Sequence, residues 1–527
     1  MSKFSLVQES ADSELEQTSE TQLDANTAGV VEAVMEEHAA MQEAGGIADR
    51  LGDNYEQAGE IKEELELSQE DALSPVAAHL LRQSLANITG KKYAASRLPA
   101  MESLSSRQNG VEAKRIALEG VGQTLKDFWT AIKNQMTKFW NSTKQWYIKT
   151  LDGSNKMIAR AKALGEKADT IQGSAKEKSF ALPGSSLIAI DYQVKDANAL
   201  LKGLDVLKTL LDGNLINISK ENSSSKASSV LDQFRDSMHK ARNRATDETG
   251  ENSNPIAEMD KYLMLYLKEE QGLNPVKPDL TVKIPNTDEI FKQIAGTTDE
   301  HISVIASEQA SGNRRLYNVV AATIPEGTSM VDAIKQKRLT FGPISAKPKE
   351  MDDQAELQTL NSGQISKIAD VVGAMGEEIL KFKKEFESRD RYYNTMLKGL
   401  DQISKEMEGA ITQAQESADN AQQPAPAAAP EATPAATPEA GAQPAAAPAT
   451  TEQPAAAAPA APAANTDGQK KIEQNAAIDK YARKFVSTWS GMFRKEISLS
   501  GSLLTHAMKV GQVFLTYGER SVAQYGS

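Results

Sequence analysis

The chain has 527 residues, a formal charge of −13, a mean hydropathy of −0.47 and only 5% aromatic residues. Its length allows about two to four domains, but so few large apolar side chains predict elongated helices and flexible stretches rather than one compact globule. There is no cysteine, which excludes disulfides, thiolate metal sites and a catalytic thiol and suits a reducing compartment such as a bacterial cytoplasm or a virus assembled there.

Residues 1–75 hold 19 Asp/Glu against 3 Lys/Arg, a net of −16, so the remainder sums to +3. This prefix reads as an acidic, partly disordered arm, with short helices around 30–44 and 57–67 that lack a wide apolar face. It opens on Met1-Ser2-Lys3-Phe4 and polar sequence, with no apolar signal segment. No apolar run in the chain is long enough to span a membrane.

Residues 76–280 read as a helical region. It begins with a helical turn and a loop at Leu98-Pro99. From 111 to 150 the pattern sharpens, because Leu118, Val121, Leu125, Phe128, Ile132, Met136, Phe139, Thr143 and Tyr147 recur every three or four positions. Such a helix runs about 60 Å. A second amphipathic helix is expected over 187–213, a weaker one around 230–242 and a short one over 259–269.

Residues 281–350 carry the β signal. Leu316–Ile324 and Arg338–Ile344 read as strands, with a helical turn at 330–336 between them. This predicts a small α/β unit inserted into a helical protein. From 351 to 420 the pattern becomes one seam: Ile365, Ile368, Val372, Met375, Ile379, Phe382, Phe386, Arg389, Tyr393, Met396, Leu400, Ile403, Met407, Ala410 and Ala414. Fifteen positions stepping by three and four predict a coiled-coil-like helix of about 75 Å, packed along its length on a helix of the same chain or of a second copy. Asn361 and Gln364 can cap its start.

Residues 421–468 read as an Ala/Pro-rich linker. The first 44 of them hold 22 Ala and 10 Pro, and proline at that density forbids a helix, leaving a spacer that reaches up to about 140 Å. Residues 469–527 read as a C-terminal helical hairpin, one face marked by Ile478, Ala482, Phe485, Trp489 and Phe493 and the other by Leu503, Leu504, Ala507, Val510, Phe514 and Tyr517. Ser498–Ser502 break it, and the hairpin is tethered but free to move. The fold class is therefore mainly α: an elongated antiparallel helical bundle or coiled coil with an α/β insertion, a disordered linker and a terminal hairpin.

Catalytic motifs are missing. There is no phosphate-binding P-loop, no G-x-S-x-G and no H-E-x-x-H. Gly120-Val121-Gly122 lacks the third glycine of a dinucleotide fingerprint and sits in a helical pattern. The five histidines are scattered. The reading is of a non-enzymatic protein with no cofactor and no metal.

One constellation bears on binding. Lys126, Lys133 and Lys144 project along the edge of the apolar face beside Trp129 and Trp140, in a stretch (111–178) with 13 Lys/Arg and 7 Asp/Glu. Three readings fit this chemistry. The aromatic face is core with a solvated basic rim, or it meets nucleic acid through phosphate contact and stacking, or it lies on a membrane surface, the weakest of the three.

The stretches Ser105 to Arg107, Val111-Glu112-Ala113, Ile116-Ala117-Leu118-Glu119-Gly120 and Phe128-Trp129-Ala131-Ile132-Lys133 resemble internal head proteins of large contractile-tailed bacteriophages. So does the order of parts: an acidic prefix, the Trp/Lys helix, helical hairpins, a small β unit (Val319-Val320-Ala321 to Pro325-Glu326-Gly327), a seam helix carrying Arg389-Asp390-Arg391, and a helical tail ending near Gln524-Tyr525. The resemblance covers most of 76–420 and 470–527. It implies a virion structural protein inside the capsid, beside the prohead shell proteins and the packaged double-stranded DNA, open to trimming by a prohead protease and to exit with the DNA. A protease of that kind favours a hydrophobic residue, any residue and Glu before the cut, with a small residue after it. Met41-Gln42-Glu43 followed by Ala44 fits, with Gly45 and Gly46 expected to keep the site extended, and Val30-Val31-Glu32 followed by Ala33 is a second match. The rival readings are an assembly scaffold or coiled-coil adaptor that forms homo-oligomers through the seam, and a membrane-active genome-delivery protein.

Overall fold

The computed structural model describes residues 20–68, 72–89, 107–194, 196–212, 224–244, 256–257, 259–260, 280–296, 302–321, 329, 331–332, 338–421 and 466–525. The expected linker over 421–468 and the helix over 259–269 fall almost wholly outside these residues, as does the Leu98-Pro99 loop.

Four long helices make the core: α1 (Glu20–Leu67), α3 (Arg107–Thr170), α7 (Ser362–Ala421) and α8 (Thr466–Ala523). With 64 residues, α3 runs about 96 Å. Cross-helix contacts give their order and direction. Along α1 and α3, Glu37 meets Lys149, Gly45 meets Phe139 and Tyr55 meets Trp129, so the two are antiparallel. Helix α3 runs antiparallel to α7 through Trp129–Asp401, Trp140–Asp390, Tyr147–Phe386 and Gly165–Ala369. Helix α7 runs antiparallel to α8 through Tyr393–Phe493, Arg389–Ser500 and Val372–Gly511. Helix α8 closes the circuit against α1 through Lys480–Glu63, Arg494–Asp49 and Gly501–Met41.

The seam of α7 is interior over its described length. Thirteen of its positions, Ile365 to Met407, are at most 3% exposed, Arg389 included. It packs on α3, α8, α4 (Ala197–Leu211) and α5 (Ser224–Arg244), all of this chain. At its start Gln364 N–H donates to Asn361 Oδ1 (2.9 Å) and Asn361 N–H donates to Gln364 Oε1 (3.1 Å), a reciprocal cap.

Four expectations are corrected. The two short helices of the prefix are one helix, α1. Its inner face is built from Val34, Met41, Ala44, Ala48, Tyr55 and Ala58, with Gly45, Gly52 and Gly59 at heptad spacing under Phe139, Ser487 and Arg483. Small residues let the neighbouring helices approach closely, and they carry too little apolar area to register as an amphipathic face. The terminal hairpin is a single helix, α8, held in the core rather than free. Ser500 Oγ donates to the Glu496 carbonyl within the uninterrupted helix, and Gly501 sits against Met41 and His38. Burial overrides the weak helix propensity of serine and glycine. The helix expected from 187 begins at Ala197, where Asp196 accepts from the N–H groups of Asn198 and Ala199. The preceding residues form a short 3₁₀ turn, Ser185–Leu187, followed by Asp191 and Tyr192 with positive φ. The helical turn at residue 76 is a full helix, α2 (Pro75–Thr89), over a satellite core with Leu73, Ala113, Ala117 and Val121.

The α/β unit is larger than two strands. Its antiparallel sheet has the order β2 (Val282–Ile284), β3 (Ile302–Ala306), β4 (Arg314–Ala321), β5 (Arg338–Pro343), with α6 (Glu289–Ala295) packed on it. A separate pair, β1 (Ser179–Ala181) and β6 (Glu356–Gln358), joins the end of α3 to the approach to α7. Three-residue strands carry too short an alternation to be read from sequence.

Candidate functional site

The Trp/Lys face of α3 meets a matching acidic face on α7. Trp129 and Lys133 stand one turn apart, and so do Trp140 and Lys144. The two pairs are separated by eleven residues, three helical turns, and therefore share a face. Asp390 and Asp401 on α7 are also eleven apart, so the antiparallel helices place one carboxylate at each pair.

At the first pair, Trp129 Nε1–H donates to Asp401 Oδ1 (3.1 Å), and Lys133 Nζ lies 2.6 Å from the same oxygen and 5.9 Å from the indole centroid. At the second, Trp140 Nε1–H donates to Asp390 Oδ1 (2.7 Å), and Lys144 Nζ lies 2.7 Å from that oxygen and 5.8 Å from its indole. Trp140 is further stacked on Tyr393 (5.0 Å) and Phe386 (5.3 Å). Both indoles are interior, 3% and 2% exposed. Burial alone would raise the Asp401 carboxyl, but hydrogen bonds from Lys133, Lys405 and Trp129 outweigh it and bring it down to about 2. Asp390 is lowered in the same way: burial pushes up, and Lys144 and Trp140 prevail.

Of the five residues singled out for DNA or membrane contact, Trp129, Lys133, Trp140 and Lys144 are thus engaged between α3 and α7. Lys126 is exposed on the same edge. In the folded chain the indole faces are covered, so stacking on a base or entering a lipid surface requires α3 and α7 to part. Sequence reasoning missed Asp390 and Asp401, because a carboxylate on one helix gives no hint of which lysine it faces across 246 or 268 residues of chain. Their shared spacing of eleven with the Trp/Lys pairs was the available signal.

These brackets fix the register of α3 on α7. Asp401→Ala and Asp390→Ala each should lower unfolding free energy in urea by about 1–2 kcal/mol, since each leaves an interior indole N–H without its acceptor and a lysine without its countercharge. The Asp401 contribution carries a pH signature. A carboxyl depressed from 3.8 to about 2 stabilises fully above its unfolded value and loses that contribution as pH falls towards 2. Wild type and Asp401→Ala should therefore converge in stability between pH 4 and pH 2, whereas a constant difference across that range would exclude the pairing.

The candidate processing site is also placed. Glu43 is exposed, but Met41 and Ala44 are buried in the middle of α1, and Gly45 lies 3.4 Å from the Phe139 ring as measured from the position a Cβ would take. The expectation of an extended, accessible segment is corrected. Gly45 serves close helix packing here, and neither glycine interrupts the helix. The second match, Val30 to Ala33, lies in α1 as well.

Among the described residues no cluster of His, Asp and Glu is suited to a metal ion, and no helix is long and apolar enough to cross a membrane. No curated protein and no solved structure matches the chain. The family model for phiKZ-like phage internal head proteins matches residues 10–434, a span that takes in α1 through α7 and leaves α8 outside. That match covers well over half of the chain, and the chain belongs to the phiKZ-like phage internal head proteins.

Proposed function

We propose that this structural head protein of the capsid interior is packaged with the genome as an elongated antiparallel helical bundle without enzymatic activity. The observation that carries the reading is the family match across α1–α7. The consumption of the apolar faces within one chain supports it. The rival scaffold reading needs the α7 seam free for a second copy, yet α3, α5 and α8 of the same chain cover it. A membrane-active role needs the Trp129 and Trp140 face, which α7 covers. The Ala/Pro stretch acts as a linker between α7 and α8. Well inside both helices, Arg242 of α5 reaches both the Glu406 carbonyl of α7 and Asp479 of α8, and the antiparallel pairing of α7 with α8 through Tyr393–Phe493 directs the end of one towards the start of the other. DNA is the partner that such packaging implies, with shell proteins and a prohead protease around it.

Quantitative mass spectrometry of purified mature particles and of DNA-free proheads tests the reading. The protein should persist in the DNA-filled head, and its loss on maturation would return the scaffold reading. N-terminal sequencing of the same material tests processing. Removing residues 1–43, with 10 Asp/Glu and 1 Lys, shifts the formal charge from −13 to −4 and lowers repulsion from DNA. Because the Glu43–Ala44 bond is helical and flanked by buried residues, cleavage there acts before α1 docks. A product beginning at Ala44 supports the step, and an intact N-terminus in mature heads removes it.

A further inference from the structure

Interior cations of this protein meet carboxylates almost everywhere. Arg160 pairs with Glu519, Arg242 with Asp479, Arg389 with Glu496 and Arg494 with Asp49. Among the described residues Arg483 instead donates to the Gly59 carbonyl, and a further departure lies where the β sheet docks on α8. There the turn Ser311–Asn313 enters β4 through two left-handed residues, Gly312 (φ 75°) and Asn313 (φ 57°). It is pinned on both sides. His506 Nε2 lies 2.8 Å from the Ser311 carbonyl oxygen, and Asn313 Oδ1 accepts from the Tyr192 N–H at 2.8 Å. A side chain at Gly312 would collide with the His506 ring, so the turn and α8 are in close contact.

This rigid junction sets Arg314 beside α8. Its guanidinium lies 5.6 Å from the Phe341 ring, which in turn lies 5.3 Å from the His506 ring. Lys509 is one turn beyond His506. His38 of α1 faces the same stretch of α8, with Nε2 3.5 Å from Ser502 Oγ. Arg314 and Lys509 are half-buried, and among the described residues neither the Arg314 guanidinium nor the Lys509 ammonium forms an ion pair or a hydrogen bond. The charges that act on His38, His506 and Lys509 come from Arg314 and Lys509 themselves, with no carboxylate among them. Burial is the first cause and these cations the second reason that His38 is held down at about 4 and His506 at about 3. Cations held near each other and partly withdrawn from water without a counterion cost free energy that a bound anion recovers.

We propose that Arg314 and Lys509 form a binding site for a phosphate group at the junction of β4 and α8, with His506 and the Ser311–Asn313 turn as the rigid floor that positions Arg314. A planar guanidinium and a mobile ammonium suit a tetrahedral oxyanion, one as a fork and the other as a point charge. The phosphate source is either free phosphate or the backbone of DNA. The site stands independently of the packaging reading, and the two arms of the test separate them.

In the first arm, the full chain and the double variant Arg314→Gln/Lys509→Gln are melted in sodium phosphate and in sodium chloride at matched ionic strength and pH 7.5. Phosphate should raise the wild-type midpoint by several degrees beyond the general stabilisation that excluded anions give any protein, and the double variant should show only that general part. In chloride the double variant should melt no lower than wild type, because it removes mutual repulsion; this also shows that it folds. In the second arm, a short DNA duplex is bound across a salt series, and the double variant should lose about two units of the log–log salt slope if backbone phosphate is the ligand. Loss in the phosphate arm alone assigns the site to free phosphate, and loss in the DNA arm assigns it to the DNA backbone. A double variant that matches wild type in both arms overturns the site.

Discussion

Ile379→Asp and Leu400→Asp should each destabilise the folded chain by about 3–5 kcal/mol, the range for an unpaired charge forced into a packed interior. Ile379 and Leu400 are 1% and 0% exposed on the α7 seam. On α3, Lys133 and Lys144 near Leu400 are matched to Asp401 and Asp390, and Lys149, Lys156 and Arg160 towards Ile379 are matched to Glu37, Asp152 and Glu519, so a new carboxylate finds no spare partner there. Given a total stability of about 5–15 kcal/mol for an ordinary domain, either change should shift the thermal transition far down or abolish it. Circular dichroism melts at two protein concentrations measure the effect. Because the seam packs within one chain, wild type should also melt at the same temperature at both concentrations. Unchanged melts for both variants would sink the seam, and a concentration-dependent wild-type melt would point to a second copy.

Deleting residues 466–527 should be more damaging still. Helix α8 buries Tyr481, Phe485, Trp489, Phe493, Leu503, Leu504, Met508, Phe514 and Tyr517 among other apolar side chains. At about 1.5–3 kcal/mol for each fully buried large side chain, their loss exceeds the stability of the whole fold. It also strips Arg160, Arg389 and Asp49 of their partners. The expected outcome is a chain with no cooperative melt that aggregates when expressed. Replacing 422–465 with a short Gly/Ser linker should leave the melt within a few degrees of wild type, because α7 and α8 pack antiparallel and loop length changes closure entropy only slowly. A truncated chain that still melts cooperatively would mean that α8 is a free appendage after all.

The seam was legible because its side chains are large. Ile365 to Met407 step by three and four with a single charge among them, and a helix is the one backbone that puts such positions on one face. The cap at Asn361 and Gln364 was legible for a similar reason, since both partners lie within one turn. The strands at Arg314–Ala321 and Arg338–Pro343 showed through their β-branched and aromatic content.

Other features escaped because their information is divided between distant residues. Gly45, Gly52 and Gly59 look like breaks until Phe139, Ser487 and Arg483 are seen against them. The Ser498–Ser502 stretch looks like a turn until Met41 and His38 close on Gly501. The phosphate-site residues Arg314, Lys509 and His506 come from β4 and α8, and no spacing along the chain relates the arginine to the other two.

By itself, then, the sequence determined the helical class, the α7 seam, the cap at its start and the aromatic face of α3, all of which are written in residues a few positions apart. Tertiary structure alone decided that α1 and α8 are core helices, that Asp390 and Asp401 take up the lysines beside Trp129 and Trp140, and that Arg314 and Lys509 stand together without a carboxylate. Helix periodicity is a local property of the chain, whereas close approach of small residues and the pairing of charges depend on what the folded chain brings from hundreds of residues away.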